Sequence, residues 1–212
     1  MTREEFIRVL EDIKGYTYEI EGDKLVVTWG DKYGHVDLES LETLPPGVEF
    51  KNGRDVSLDK LEILPPGVEF NNRGDVWLSS LKTLPPGVEF KNEWDVWLDS
   101  LETLPPGVVF KNGGHVWLES LETLPPGVEF MNGGNVNLSS LKTLPSGVEF
   151  KNGGDVYLNS LETLPPGVEF KNGGNVNLES LVGGRIDEWS GNIKGVDNKR
   201  LLNLMIKQGV FI

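Results

Sequence analysis

The sequence predicts a mainly β protein: a single-chain parallel β-solenoid of about seven 20-residue coils, with a small α/β cap before it and a helical cap after it. Three observations lead there. From Val36 the chain runs through seven consecutive 20-residue units without insertion or deletion, and a truncated eighth ends at Leu181. A fixed period of this length means that each unit makes one structural turn and stacks on the last. Within a unit, Val36 and Leu38 alternate with polar neighbours, as do Val48 and Phe50, the pattern of strands with one buried face. Between them stands Leu44-Pro45-Pro46-Gly47, where two prolines forbid helix and glycine admits a positive φ. Asn52-Gly53 and its equivalents supply another corner. Two or three short strands fit in each unit, and a helix does not.

Composition agrees. There is no alanine, the best helix former, against 26 glycines and 13 prolines. Apolar residues at 38% allow a buried core. Coils about 4.8 Å apart would build a rod roughly 34 Å long from seven units.

Three segments follow: residues 1–35 as an N-terminal helix–strand cap, 36–181 as the solenoid, and 182–212 as a C-terminal cap with a helix. Thr2 and Glu5 have capping-box spacing, and Phe6, Leu10 and Ile13 fall on one helical face before Gly15. Two strands, over residues 16–20 and 25–29, are expected to join that helix to the first coil. At the other end Asp197 is placed to cap a helix carrying Leu201, Leu202, Met205 and Ile206, closed by Gly209. Caps of this kind cover the open strand edges of a solenoid.

The inward alternation also takes in Asn52, and the same residue returns at Asn72, Asn92, Asn112, Asn132, Asn152 and Asn172. Inward amides must be bonded, so these are expected to form a structural ladder, joined to one another and to corner backbone. Serines from Ser40 to Ser180 and threonines from Thr43 to Thr163 make further columns, broken by Lys60 and Ile63.

The pattern from Leu121 to Ser140, L-x-x-L-P-P-G-V-x-F-x-N-G-G-x-V-x-L-x-S, resembles the short leucine-rich-like L-P-x-G-[LV] repeat proteins of bacteria and phages. That resemblance covers about two thirds of the chain; it implies a repeat fold and assigns no activity. It also implies a bacterial host cytoplasm if the chain is phage-encoded. A more distant likeness is to the 20-residue leucine-rich repeats of secreted bacterial effectors. The sequence departs from those by its spacing between Phe50 and Asn52 and by its lack of any cysteine.

In such an array function is sought where units differ on the outside. The second position of the unit reads Asp37, Ser57, Trp77, Trp97, Trp117, Asn137, Tyr157, Asn177. Trp77, Trp97, Trp117 and Tyr157, with Trp94 in a nearby corner, are therefore the candidate binding residues, read as an exposed aromatic column. Glu49 and its equivalents, beside Lys51 and its equivalents, read as a solvated charge ladder, interrupted by Val109 and Met131 as a small apolar patch. His35 and His115 occupy a corner position held elsewhere by aspartate or asparagine and read as turn formers.

No catalytic residue, metal site or cofactor is expected: cysteine is absent, no serine has a base placed by motif, and the Asn-Gly corners lack a P-loop lysine–serine pair. A net charge of −13 argues against direct nucleic-acid binding, and no apolar run approaches a membrane span. The N-terminus does not open like a secretory signal, so a cytoplasmic location is expected. The leading expectation is a non-catalytic rod that docks a protein partner. The alternatives are an acidic mimic of nucleic acid that inhibits a nuclease or host-defence protein, and a carbohydrate- or ice-binding surface.

Overall fold

The structure is a computed structural model that describes residues 1–13, 15–31 and 33–181, and the backbone of the strands Gly183–Gly184 and Asn192–Lys194. The expected C-terminal helix lies outside the described residues.

Helix α1 (Arg3–Asp12) starts where the capping box predicts. Thr2 accepts from the Glu5 backbone N–H at 3.2 Å, and the Glu5 carboxylate accepts from the Thr2 N–H at 2.7 Å. Phe6 and Leu10 are buried against the core, which fixes the helix over one end of the rod. Strands β1 (Thr17–Glu21) and β2 (Lys24–Trp29) form an antiparallel hairpin. β2 then pairs in parallel with Val48–Phe50, Leu25 against Val48 and Val27 against Phe50. The hairpin thus supplies the first coil with the neighbour that every other coil receives from the repeat.

Each 20-residue unit contributes one rung to each of two sheets. One sheet stacks the rungs ending in Phe50, Phe70, Phe90, Phe110, Phe130, Phe150 and Phe170 onto the hairpin, nine strands in all. The other, also of nine strands, begins at Val36–Asp37, passes through Val76–Trp77 and Val156–Tyr157, and ends with Asn192–Lys194. All pairing between units is parallel and in register at an offset of one repeat, as Val76↔Val96 and Trp77↔Trp97 show. A third side is bridged more sparsely, Thr83↔Thr103 and Thr123↔Thr143 among its links. The coil therefore has three sides, of which two are continuous sheets.

Hydrogen bonds run in opposite senses on those sheets. In the valine sheet the N–H of Val76 donates forward to Asp95 O at 2.9 Å; in the phenylalanine sheet Lys91 N–H donates back to Phe70 O at 3.0 Å. Each coil is thereby tied to both neighbours. Beneath the sheets the phenylalanine rings stack 5.3–5.5 Å apart with planes within 11°. Val76, Leu78, Leu81 and Phe90, like their equivalents in most coils, are fully buried. Repetition of an offset aromatic stack adds about 0.5–1.5 kcal/mol per contact beyond area burial.

The Pro-Pro-Gly corner needs glycine for its conformation: Gly47 through Gly167 take φ of 72–80° at every unit. The later Asn-Gly-Gly corners use it for space, although Arg73 and Glu93 hold the same repeat position in earlier coils. A Cβ at Gly133 would lie 2.2 Å from the carbonyl oxygen of Gly113 one coil below.

The asparagine ladder is present, and of the two expected kinds of partner it takes the corner backbone and not the neighbouring amides. Asn92 Nδ2 donates to the carbonyls of Gly74, Trp94 and Asp95 at 3.0–3.1 Å, and Asn132 makes the same set. Asn52, Asn72, Asn112, Asn152 and Asn172 likewise reach backbone of their own corner and of the coil before. Every rung's amide oxygen is buried without a partner. Each Nδ2 is taken up by carbonyls of its own corner and of the corner before, which leaves no donor for the next amide oxygen.

Candidate functional site

The valine sheet sets the position of the aromatic column. Val76, Val96 and Val116 point inward with no exposure, so the next residue of each rung must point out. Parallel in-register pairing then places Trp77, Trp97 and Trp117 directly over one another. Their rings stack at 4.7 Å and 4.9 Å with interplanar angles of 2° and 10°. His115 meets the edge of Trp117 at 5.9 Å.

The reading of this column as exposed needs correction. All three tryptophans are half-buried, because each covers the faces of its neighbours. The indole N–H groups of Trp97 and Trp117 are buried without acceptors. The ring edges remain outward, together with the face of Trp77 that looks toward the first coil. Trp94 is the exposed one, at 63%, and no ring contact joins it to the stack. Tyr157 stands apart: Asn137 separates it from Trp117, and its hydroxyl donates to Asp155 Oδ2 at 3.4 Å.

A second ladder, unforeseen in the sequence, borders the stack. Asp55 Oδ1 accepts from the N–H of Asp75, Asp75 from Asp95, and Asp95 from His115, at 2.7–2.9 Å. His115 Nδ1 then accepts from the Asn135 N–H at 2.7 Å, Asn135 Oδ1 from Asp155, and Asp155 Oδ1 from Asn175. His115, read as a turn former, is a link in this chain of side-chain acceptors, whereas His35, read the same way, accepts no such backbone bond among the described residues. For His115 this fixes the neutral tautomer with the proton on Nε2. The available signal was chemical: every residue in the column from Asp55 to Asn175 carries an acceptor at the same reach from its backbone.

On the other side of the indoles stand Asp59, Asp99 and Glu119. Burial, then repulsion from Glu119, pushes the Asp99 carboxyl above its ordinary value. Asp75 is raised by burial and by Asp95 and Asp55. The stack lies between two acidic columns.

The opposite face titrates the other way. Lys91 pairs with Glu89, Lys151 with Glu149, and Lys171 with both Glu149 (3.4 Å) and Glu169. The Lys91 and Lys151 pairings hold Glu89 and Glu149 below the ordinary carboxylate range. The exception to a solvated face is Glu49, which is 4% exposed. Against the cost of that burial it is held low by a hydrogen bond from Asn71 (2.7 Å) and by Lys51 and Lys24. Asn71, which interrupts the lysine column, thus has a role of its own. Met131 is 46% exposed and Val109 half-buried, and Glu129, in the same coil as Met131, forms no ion pair among the described residues.

Among the described residues no group of three histidines, aspartates or glutamates is placed to hold a metal ion. No described helix is long and apolar enough to cross a membrane. Comparison with protein-family models, curated proteins and solved structures finds no match.

Proposed function

We propose that the protein is a non-catalytic docking rod whose Trp77–Trp97–Trp117 face seats a protein partner. One observation carries this reading: the three stacked indoles lie between carboxylates that form no ion pair with a lysine among the described residues, while the opposite face pairs most of its own charges. Rigid aromatic area flanked by uncompensated charge is what a partner with basic and apolar groups would bind. The resemblance to L-P-x-G-[LV] repeat proteins belongs to the same proposal, as does a cytoplasmic setting.

The repeat itself supplies the test. Asparagine occupies the tryptophan position at Asn137 and Asn177, so a Trp77→Asn, Trp97→Asn, Trp117→Asn variant keeps the coil intact. Affinity capture from the native host should recover a partner with the parent chain and with Lys91→Gln, Lys151→Gln, and lose it with the triple variant. Undiminished capture by the triple variant overturns the proposal.

The acidic-mimic reading gains from the same carboxylates, since the described lysines that form ion pairs do so on the opposite sheet and on the third side. A partner displaced by duplex DNA, with affinity falling steeply as salt rises, would favour it over an aromatic dock.

A further inference from the structure

The tryptophan stack ends abruptly at the first coil. Trp77 pairs in register with Ser57, whose side chain stops at Oγ, and Asp37 follows on the rung before. One face of Trp77 is covered by Trp97 at 4.7 Å; the other looks over Ser57 into a hollow. Asp37, Glu39, Asp55 and Asp59 line that hollow with the indole, and no lysine or arginine does.

The carboxylates alone would be an acidic corner open to water. The bare ring face makes the hollow selective. We propose that this missing rung of the stack is a subsite for a planar cation, the guanidinium of an arginine side chain. A guanidinium stacks flat on an indole face, where the ring quadrupole attracts it, and donates in its own plane to carboxylates at its edge. Those are the two chemistries that the hollow offers. Asp59 accepts from Ser57 Oγ and the Ser79 N–H at 3.2 Å, and Asp55 Oδ1 from the Asp75 N–H, while Asp55 Oδ2 lies 3.0 Å from His35 Nδ1. A carboxylate has about four lone-pair sites, so each retains capacity for a further donor. Lysine, a compact and strongly hydrated charge, would gain the ion pair without the planar stack.

This subsite deepens the docking reading and rests on it for the source of the guanidinium, an arginine of the bound partner. Its test needs no partner. N-acetyl-arginine amide is titrated into the full chain while the Trp77 indole N–H resonance, assigned from Trp77→Asn, is followed by NMR. A saturable shift in the millimolar range is expected, with N-acetyl-lysine amide at least ~3-fold weaker. Ser57→Trp fills the missing rung with the residue that the next three coils carry, and should abolish the response. Asp55→Asn with Asp59→Asn keeps both backbone acceptors and should weaken it at least ~3-fold.

Three results would each overturn the proposal: no saturable shift, an equal response to lysine, or an unchanged response in Ser57→Trp. Arginine binding in a chain whose triple asparagine variant still captures its partner would leave the subsite standing and remove the docking reading. Loss of capture without an arginine response would do the reverse.

Discussion

The two sheet faces of this rod share one backbone geometry and one core, yet they solve the problem of stacked side chains in opposite ways. A parallel in-register solenoid sets like residue over like, so any charge is repeated one coil away. On the phenylalanine sheet the repulsion of the glutamates is offset by a lysine column two residues along, and Lys171 reaches both its own and the preceding coil's glutamate. On the valine sheet the described aspartates repeat without an ion pair to lysine, and Asp75 and Asp99 are pushed upward. The outward column there is filled instead by uncharged rings whose stacking is attractive at that spacing. The first face pairs most of its own charge, with Glu129 the exception among the described residues. The second has charge left over, which is the condition for taking a partner.

The largest expected effect breaks both faces at once, because it strikes the core they share. Asn132 donates from one nitrogen to three carbonyls, and its oxygen has no partner. Asn132→Asp keeps the shape and removes the donors, setting a carboxyl against three carbonyl oxygens. A loss of about 3–5 kcal/mol is expected, as for a buried charge without compensation. Thermal unfolding should fall by roughly 10 °C at neutral pH, at a slope of about 2–4 °C per kcal/mol. An unchanged midpoint would mean that the ladder fills space and bonds nothing.

Breaking the second face alone should cost less. Trp97 stacks on both neighbours, so Trp97→Asn removes two ring contacts, together about 1–3 kcal/mol. Relief of the unpartnered indole N–H offsets part of that. A midpoint shift of only a few degrees should accompany loss of the exciton-type near-ultraviolet signal of stacked indoles. A loss as large as that for Asn132→Asp would place these rings in the core and remove the distinction between the faces.

How much of this was legible depends on what each residue does to the sequence pattern. Val36, Leu38, Val48 and Phe50 betray their burial by alternation, and Thr2 with Glu5 announces α1 by spacing alone. The in-register stack follows from the period, but the number of sides does not, since a 20-residue unit has room for two or three strands. The half-burial of Trp97 did not show, because alternation gives only the direction of a side chain and neighbouring rungs do the covering. The acceptor ladder hid for another reason: aspartate, asparagine and histidine are each ordinary in a turn, and only stacked coils put each beneath the next N–H. Glu49 looked like every other glutamate in its column until β1 and β2 came to lie beside it.

That ladder yields a smaller prediction, which sharpens what borders the indoles. His115→Ala removes the acceptor for the Asn135 N–H and should cost about 1 kcal/mol. His115→Asn, which matches Asn135 in the next coil, should restore most of it. Equal stability of the two variants would show that the imidazole packs against Trp117 without bonding the backbone.

The smallest effect separates the faces by sign. Asp75 has a raised folded-state pKa, so its charge opposes the fold above that pKa and the opposition fades as pH falls. Glu89 has a lowered one, so it contributes stability above its unfolded value of 4.5 and loses it as pH falls through the folded value. Asp75→Asn keeps the acceptor for the Asp95 N–H and removes the charge. It should stabilise at pH 7 by about 0.2–1 kcal/mol, the scale of stacked like charges, with the gain gone below the unfolded aspartate value of 3.8. Glu89→Gln should destabilise at pH 7 by no more than about 0.5 kcal/mol, as for exposed pairs, and match the parent in acid. Salt should shrink both differences, since each is an electrostatic term at a partly solvated surface. Matching signs for the two variants at pH 7 would erase the electrostatic contrast and, with it, the argument that only one face has charge to offer a partner.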